Sequence, residues 1–152
     1  MTEGKKRLII GLMVNIAISY TGALHCSATH GPSKTEIATD APTDNQGKGE
    51  AFSPTDLVAA ALGTCMATTM AIVAERKEID LKGMTVQVGK EMADKPRRIA
   101  RLAVELHIPL PENCADRELL ERTALHCPVH QSLRTEIEMP VKFFWEGQDE
   151  LA

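Results

Sequence analysis

The sequence predicts a chain of mixed strands and helices, in the order strands, helix, strands, helix, strand. Three observations predict it. SPTDLVAAALGTCMATTMAIVAER is a long run of small and apolar residues, apolar nearly all round, and such a helix has to be buried. Leu102, Val104, Leu106 and Ile108 alternate with Arg101, Glu105 and His107, the period-2 pattern of a half-buried strand. CADRELLERTALHC carries Leu119, Leu120 and Ala124 on one helical face until Pro128, which lacks an N–H, interrupts the ladder.

Taken in order, residues 8–20 and 22–30 predict two strands, His30-Gly31-Pro32-Ser33 a turn, and residues 34–40 a third strand. Residues 1–7 are expected to be flexible. Lys5, Lys6 and Arg7 before LIIGLMVNIAIS have the outline of a signal peptide, with GALHC faintly like a lipoprotein box. Asn15 in the apolar run, His25 ahead of the cysteine and the lack of an A-x-A site favour a first strand instead. An apolar run of about a dozen residues is also too short to span a bilayer. Residues 41–52 predict a polar linker. The long helix then starts with Ser53 as N-cap, Pro54 at its first position and Asp56 three residues after the cap. Val86 and Val88 mark a weaker strand, and Pro109 and Pro111 end the one after it. Val129 and Leu133 suggest a short helical piece beyond Pro128, which puts Cys127 at a corner near a helix amino terminus. Ile137, Met139, Val141, Phe143 and Trp145 alternate as a last strand. There is no internal repeat and no low-complexity tract.

A chain of 152 residues is expected to form a single domain, burying roughly 70% of its unfolded surface in one core. A net charge of −4 without a basic stripe argues against nucleic acid, and 3% aromatic residues leave no stacking platform for bases. Cys26, Cys65, Cys114 and Cys127 are too few for a disulfide-dense secreted scaffold, so a cytoplasmic protein with thiol or metal chemistry is expected.

Cys65 falls in the middle of the long helix, in a setting expected to be dry. Taken alone it is either a small packing residue or a nucleophile. Burial raises a thiol's pKa from about 8.5, so activation needs a nearby positive charge, and Cys65 is about three turns from its helix start, beyond the reach of the dipole. Cys127 is either a corner residue or a resolving partner for Cys65. Cys26 and His30 (C-x3-H) with His126, Cys127 and His130 (HCPVH) have the look of zinc pairs, but residues four apart on a strand are some 13 Å apart, so no metal is expected.

GEAFSPTDLVAAALGTC together with HCPVHQSL resembles the OsmC/Ohr family, within it the OsmC-like group with SPTDL ahead of the first cysteine, over roughly residues 17–146. The resemblance implies an α+β, OsmC-like fold with sheets around long central helices, an intertwined homodimer, and an active site at the dimer interface. It implies reduction of organic hydroperoxides without a bound cofactor, with Cys65 as the peroxidatic and Cys127 as the resolving cysteine. An external thiol, dihydrolipoyl groups on proteins, is the reductant so implied, and neither nucleic acid nor membrane is expected as a partner. Phe52, Met66 and Met70 are candidates for an oily substrate wall. One departure matters. The family's best-known branch has an arginine on the amino-terminal hairpin, held by a glutamate ahead of the helix, whereas no arginine occurs here between Arg7 and Arg76. Glu50 is the candidate supporting acid, with Asp56 second and Thr55 at the aligned position; His25, Lys34, His126, His130 and Arg134 are the candidate cations. A non-catalytic binder of a small hydrophobic or thiol ligand is the alternative function, and a Cys/His metal protein a more distant one.

Overall fold

The computed structural model describes residue 11 and residues 13–148, and the chain divides into two compact units, residues 1–54 and 55–152. The fold is α+β, built on two three-stranded sheets and one long helix.

The first unit is an antiparallel meander of β1 (Ile16–Gly22), β2 (His25–His30) and β3 (Glu36–Asp40). The first strand starts well after residue 8; positions 8–10 and 12 of the expected strand lie outside the described residues. Ala23 and Leu24 close the first hairpin with φ of 50° and 64°. Two residues of positive φ match the twist of paired strands, and Asn-Gly usually supplies them. That signal is missing here, which is why the expected corner fell two residues early. Beyond β3 the expected linker is a tied loop. Thr43–Asn45 form a 3-10 turn, and the Gly47 and Gly49 N–H groups donate to Pro42 O and Ala41 O at 3.0 and 3.3 Å. A Cβ on Gly47 would stand 1.6 Å from Ala41 O, so only glycine allows this return.

The second unit is organised by α1 (Pro54–Glu75), which opens on proline as expected. Ala59, Leu62, Gly63, Met66, Met70 and Ala74 recur at helical spacing and are buried. Thr64, Thr68 and Ile72 on the other side are exposed, so one chain buries half of a helix whose composition calls for burial all round. By length and hydropathy α1 could cross a membrane, yet its buried face belongs to the core. β4 (Thr85–Asp94) and β5 (Arg97–Ile108) pair antiparallel. α2 (Arg117–Leu125) and α3 (Pro128–Ser132) then carry the chain back, so that β6 (Val141–Trp145) joins β5 in parallel, a pairing that needs such a crossover. Ile137 and Met139 precede β6: Glu138 still exchanges bonds with β5, but Pro140 has no N–H to continue the ladder.

Leu102, Val104, Leu106 and Ile108 of β5 point into the core against α1, with Leu120 and Ala124 of α2. A Cβ on Gly63 would lie 2.8 Å from Val88 Cγ2, so glycine permits close contact between helix and sheet. Leu106→Ala should therefore lower unfolding free energy by about 2–5 kcal/mol in urea titrations, whereas the exposed Lys142→Ala should change it by less than about 0.5 kcal/mol.

Candidate functional site

Cys127 is fixed by the break that Pro128 imposes. It is the N-cap of α3, extended at φ −62° and ψ 149°, and its sulfur accepts the His130 N–H at 3.4 Å. Its own N–H donates to Ala124 O at 3.2 Å, and its carbonyl accepts from Gln131 at 3.1 Å, so the residue is held from both sides. It is fully buried, in the core cluster itself.

Cys65 lies beside Met66 on α1 and is only half-buried, because one step along a helix turns a side chain about 100° from the core direction. It opens on a cavity of about 460 Å³ between Thr64, Thr68 and Thr69 of α1 and Pro128 and Val129 of α3. The Thr69 hydroxyl donates to Cys65 O at 2.7 Å and stands 4.0 Å from the sulfur. Both cysteines are free thiols, and Cys65 lies near enough to Cys127 to act on its ionisation. Burial pushes the Cys127 thiol above the ordinary cysteine range, the His130 N–H pulls the other way, and hydrogen bonding with Cys65 adds to the rise.

The other expected residues fall elsewhere. Met66 and Met70 are fully buried in the core and do not line the Cys65 cavity. Phe52 belongs to the first unit and is 58% exposed. Asp56 ion-pairs with Lys90 Nζ at 2.6 Å, and the same ammonium donates to Thr55 Oγ1 at 2.8 Å. Lys34 and Arg134 are exposed; His126 meets Arg122 O through Nδ1 at 2.7 Å; His130 acts on Cys127 through its backbone. Cys26 and His30 stand at different places on β2, and His30 Nδ1 is engaged by Ser33 Oγ at 2.6 Å. The cavity-lining threonines went unseen in the sequence, although Ala61, Cys65, Thr68 and Thr69 share one face at spacings of four, seven and eight.

In the first unit the structure brings His25 and Glu50 together with a residue that sequence reasoning missed, Asp40. His25 and Asp40 are cross-strand partners, a register that no local pattern reveals. His25 Nε2 stands 3.3 Å from Asp40 Oδ1 and 3.5 Å from Glu50 Oε2. The Glu50 N–H donates to Asp40 Oδ2 at 2.9 Å, and Asp40 N–H donates to Phe52 O at 3.1 Å. That Glu50 N–H, then His25 and the backbone N–H groups of Ala41 and Lys48, hold the Asp40 carboxyl below the usual range against the opposing effect of burial.

The contrast between the two thiols has a measurable consequence. Iodoacetamide should label Cys65 at neutral pH well before Cys127. Labelling of Cys127 should rise only as pH climbs past the ordinary thiol range, about 8.5, because its thiolate is disfavoured. Peptide mapping by mass spectrometry reads both.

No curated protein matches the chain at a significant level. Solved structures do. A candidate osmotic stress induced and detoxification response protein from Psychrobacter arcticus 273-4 is 42% identical, covering 90% of this chain and 99% of its own, with a TM-score of 0.82. An organic hydroperoxide resistance protein OsmC from Legionella pneumophila is 20% identical over 88% of this chain and 97% of its own (TM-score 0.67). An organic hydroperoxide resistance protein from Vibrio cholerae, with captopril bound in one of its active sites, is 21% identical over 91% and 95% (TM-score 0.69). The family model for OsmC-like protein matches residues 47–142, a span that takes in the end of the tied loop, all of α1 and both Cys65 and Cys127. With that match, and with this fold, the chain belongs to the OsmC-like protein family.

Proposed function

We propose that the protein is a cysteine-dependent peroxidase of redox stress defence that reduces organic hydroperoxides, with Cys65 as peroxidatic and Cys127 as resolving thiol. The observation that carries this reading is the nearness of two free thiols from distant stretches of chain, one opening on a cavity and the other buried in the core. The accessible sulfur is the one a substrate reaches first. As thiolate, Cys65 attacks the terminal oxygen of the hydroperoxide; the O–O bond breaks, sulfur is oxidised to sulfenic acid, and the alkoxide leaves as alcohol after taking a proton. The Cys127 sulfur then attacks the sulfenic sulfur, a disulfide forms and water leaves. An external dithiol, for which a dihydrolipoyl group is the proposed class, restores both thiols by exchange and is itself oxidised to a disulfide.

Alanine, valine, proline and threonine methyl groups around Cys65 favour an alkyl chain over hydrogen peroxide. The supporting acid in this reading is Glu50, whose Oε2 stands 3.5 Å from the His25 imidazole on the amino-terminal hairpin. The names of the Psychrobacter, Legionella and Vibrio relatives agree with a detoxifying role. The same reading makes the protein a cytoplasmic homodimer. In support, Ile16, Ile18 and Tyr20 of β1 are 60%, 67% and 67% exposed and Ile72 of α1 is 46% exposed, apolar surface that a second copy would cover.

With cumene hydroperoxide and dihydrolipoamide, Cys65→Ser should abolish peroxide consumption. Cys127→Ser should allow a single turnover that ends in a sulfenic acid trappable by dimedone. Undiminished consumption by Cys65→Ser, or none by the wild type, would overturn the reading. Sedimentation should give a dimer, and Ile72→Glu should shift it toward monomer.

A further inference from the structure

We propose that His25, Asp40 and Glu50 form a binding site for a divalent transition metal ion of the zinc class, on the first unit. One nitrogen and two carboxylate oxygens converge there, each ligand atom within 4.8 Å of the others. His25 starts β2, Asp40 ends β3 directly opposite it, and the glycine-dependent loop from Ala41 returns Glu50 to the same point.

Two observations favour a metal over a simple ion pair. Asp40 is 1% exposed, yet its Oδ1 finds no hydrogen-bond donor among the described residues while aimed at the centre of the group. A buried carboxylate oxygen in that state needs a positive partner. A protonated imidazole alone would draw a carboxylate to about 2.7–2.9 Å. Instead Nε2 stands 3.3 and 3.5 Å from the two oxygens. The edge of a tetrahedron with bonds of about 2.1 Å is about 3.4 Å, so both separations suit ligand atoms sharing one ion better than atoms sharing one proton.

The donor set selects the ion. Calcium takes six to eight oxygens and magnesium keeps an oxygen octahedron, whereas imidazole with carboxylate suits zinc, iron, nickel or copper. A neutral imidazole and two carboxylates balance a dication, and a tetrahedral ion keeps a fourth position for water. The outer support is in place as well. The Glu50 N–H on Asp40 Oδ2 turns the other oxygen of that carboxylate inward, the role that outer hydrogen bonds play for metal ligands.

Cobalt(II) is the probe, because its visible bands report tetrahedral nitrogen and oxygen ligands and a near-ultraviolet charge-transfer band reports sulfur. The full-length protein, reduced and stripped by chelator, should bind one equivalent of cobalt per chain with visible bands, without the sulfur band, and zinc should displace it. His25→Gln and Glu50→Gln should each weaken binding by more than about tenfold, the loss that even an outer partner's removal produces, with circular dichroism unchanged. Glu50→Gln is isosteric at a side chain 60% exposed, which keeps the test decisive if the other variant folds poorly. Absence of stoichiometric binding, a sulfur band lost in Cys65→Ser or Cys127→Ser, or unaltered affinity in Glu50→Gln would overturn the site. Since no peroxide enters this titration, its failure is separate from failure of the peroxidase reading.

Discussion

Burial of one face of α1 against β4 and β5 is the constraint from which the rest of the second unit follows. Gly63 brings the helix close to Val86 and Val88, and Leu62, Met66 and Met70 complete the contact with β5. That contact sets the helix's rotation. Once Met66 points into the core, Cys65 must stand at the border between core and cavity, and Thr68 and Thr69 must face the cavity with it. A thiol at such a border is sheltered but reachable, whereas one on the Met66 direction would be sealed.

The second sulfur is placed by a different device. Pro128 cannot donate to the preceding turn, so α2 ends, the chain turns, and the new helix begins with Cys127 as its cap. The cap bond from His130 and the burial of the sulfur act in opposite directions on its ionisation, and burial wins. In the proposed reaction Cys127 therefore waits as a thiol until Cys65 is oxidised. It is a poor first nucleophile for the same reason.

In the first unit Asp40 has the corresponding place. Its backbone N–H ties the chain at Phe52, one carboxylate oxygen ties Glu50, and the other faces His25. A segment with the composition of a polar linker becomes an ordered loop because these bonds and the glycines at 47 and 49 fold it back. The result groups charges on a three-stranded sheet whose apolar side chains Ile16, Ile18 and Tyr20 stay exposed in the single chain.

Local chemistry made much of this legible in the sequence. Pro54 and Pro128 mark helix starts because proline is tolerated only in the first turn, and the alternation of β5 reads directly as a buried face. The corner position of Cys127 and the helical position of Cys65 followed from those signals, and the paired motifs around them carried the family. What stayed hidden depended on contacts between residues far apart in the chain. The hairpin corner at Ala23-Leu24 lacks the usual turn residues, the parallel pairing of β6 is set by a crossover, and Met66 and Met70 belong to the core because packing fixed the rotation of an almost uniformly apolar helix. Asp40 joins His25 only through strand register, which sequence spacing does not encode. Periodicity and proline chemistry are properties of neighbouring residues, so the sequence by itself determined the elements; register and rotation are settled by long-range packing, so tertiary structure alone decided which side chains share a site.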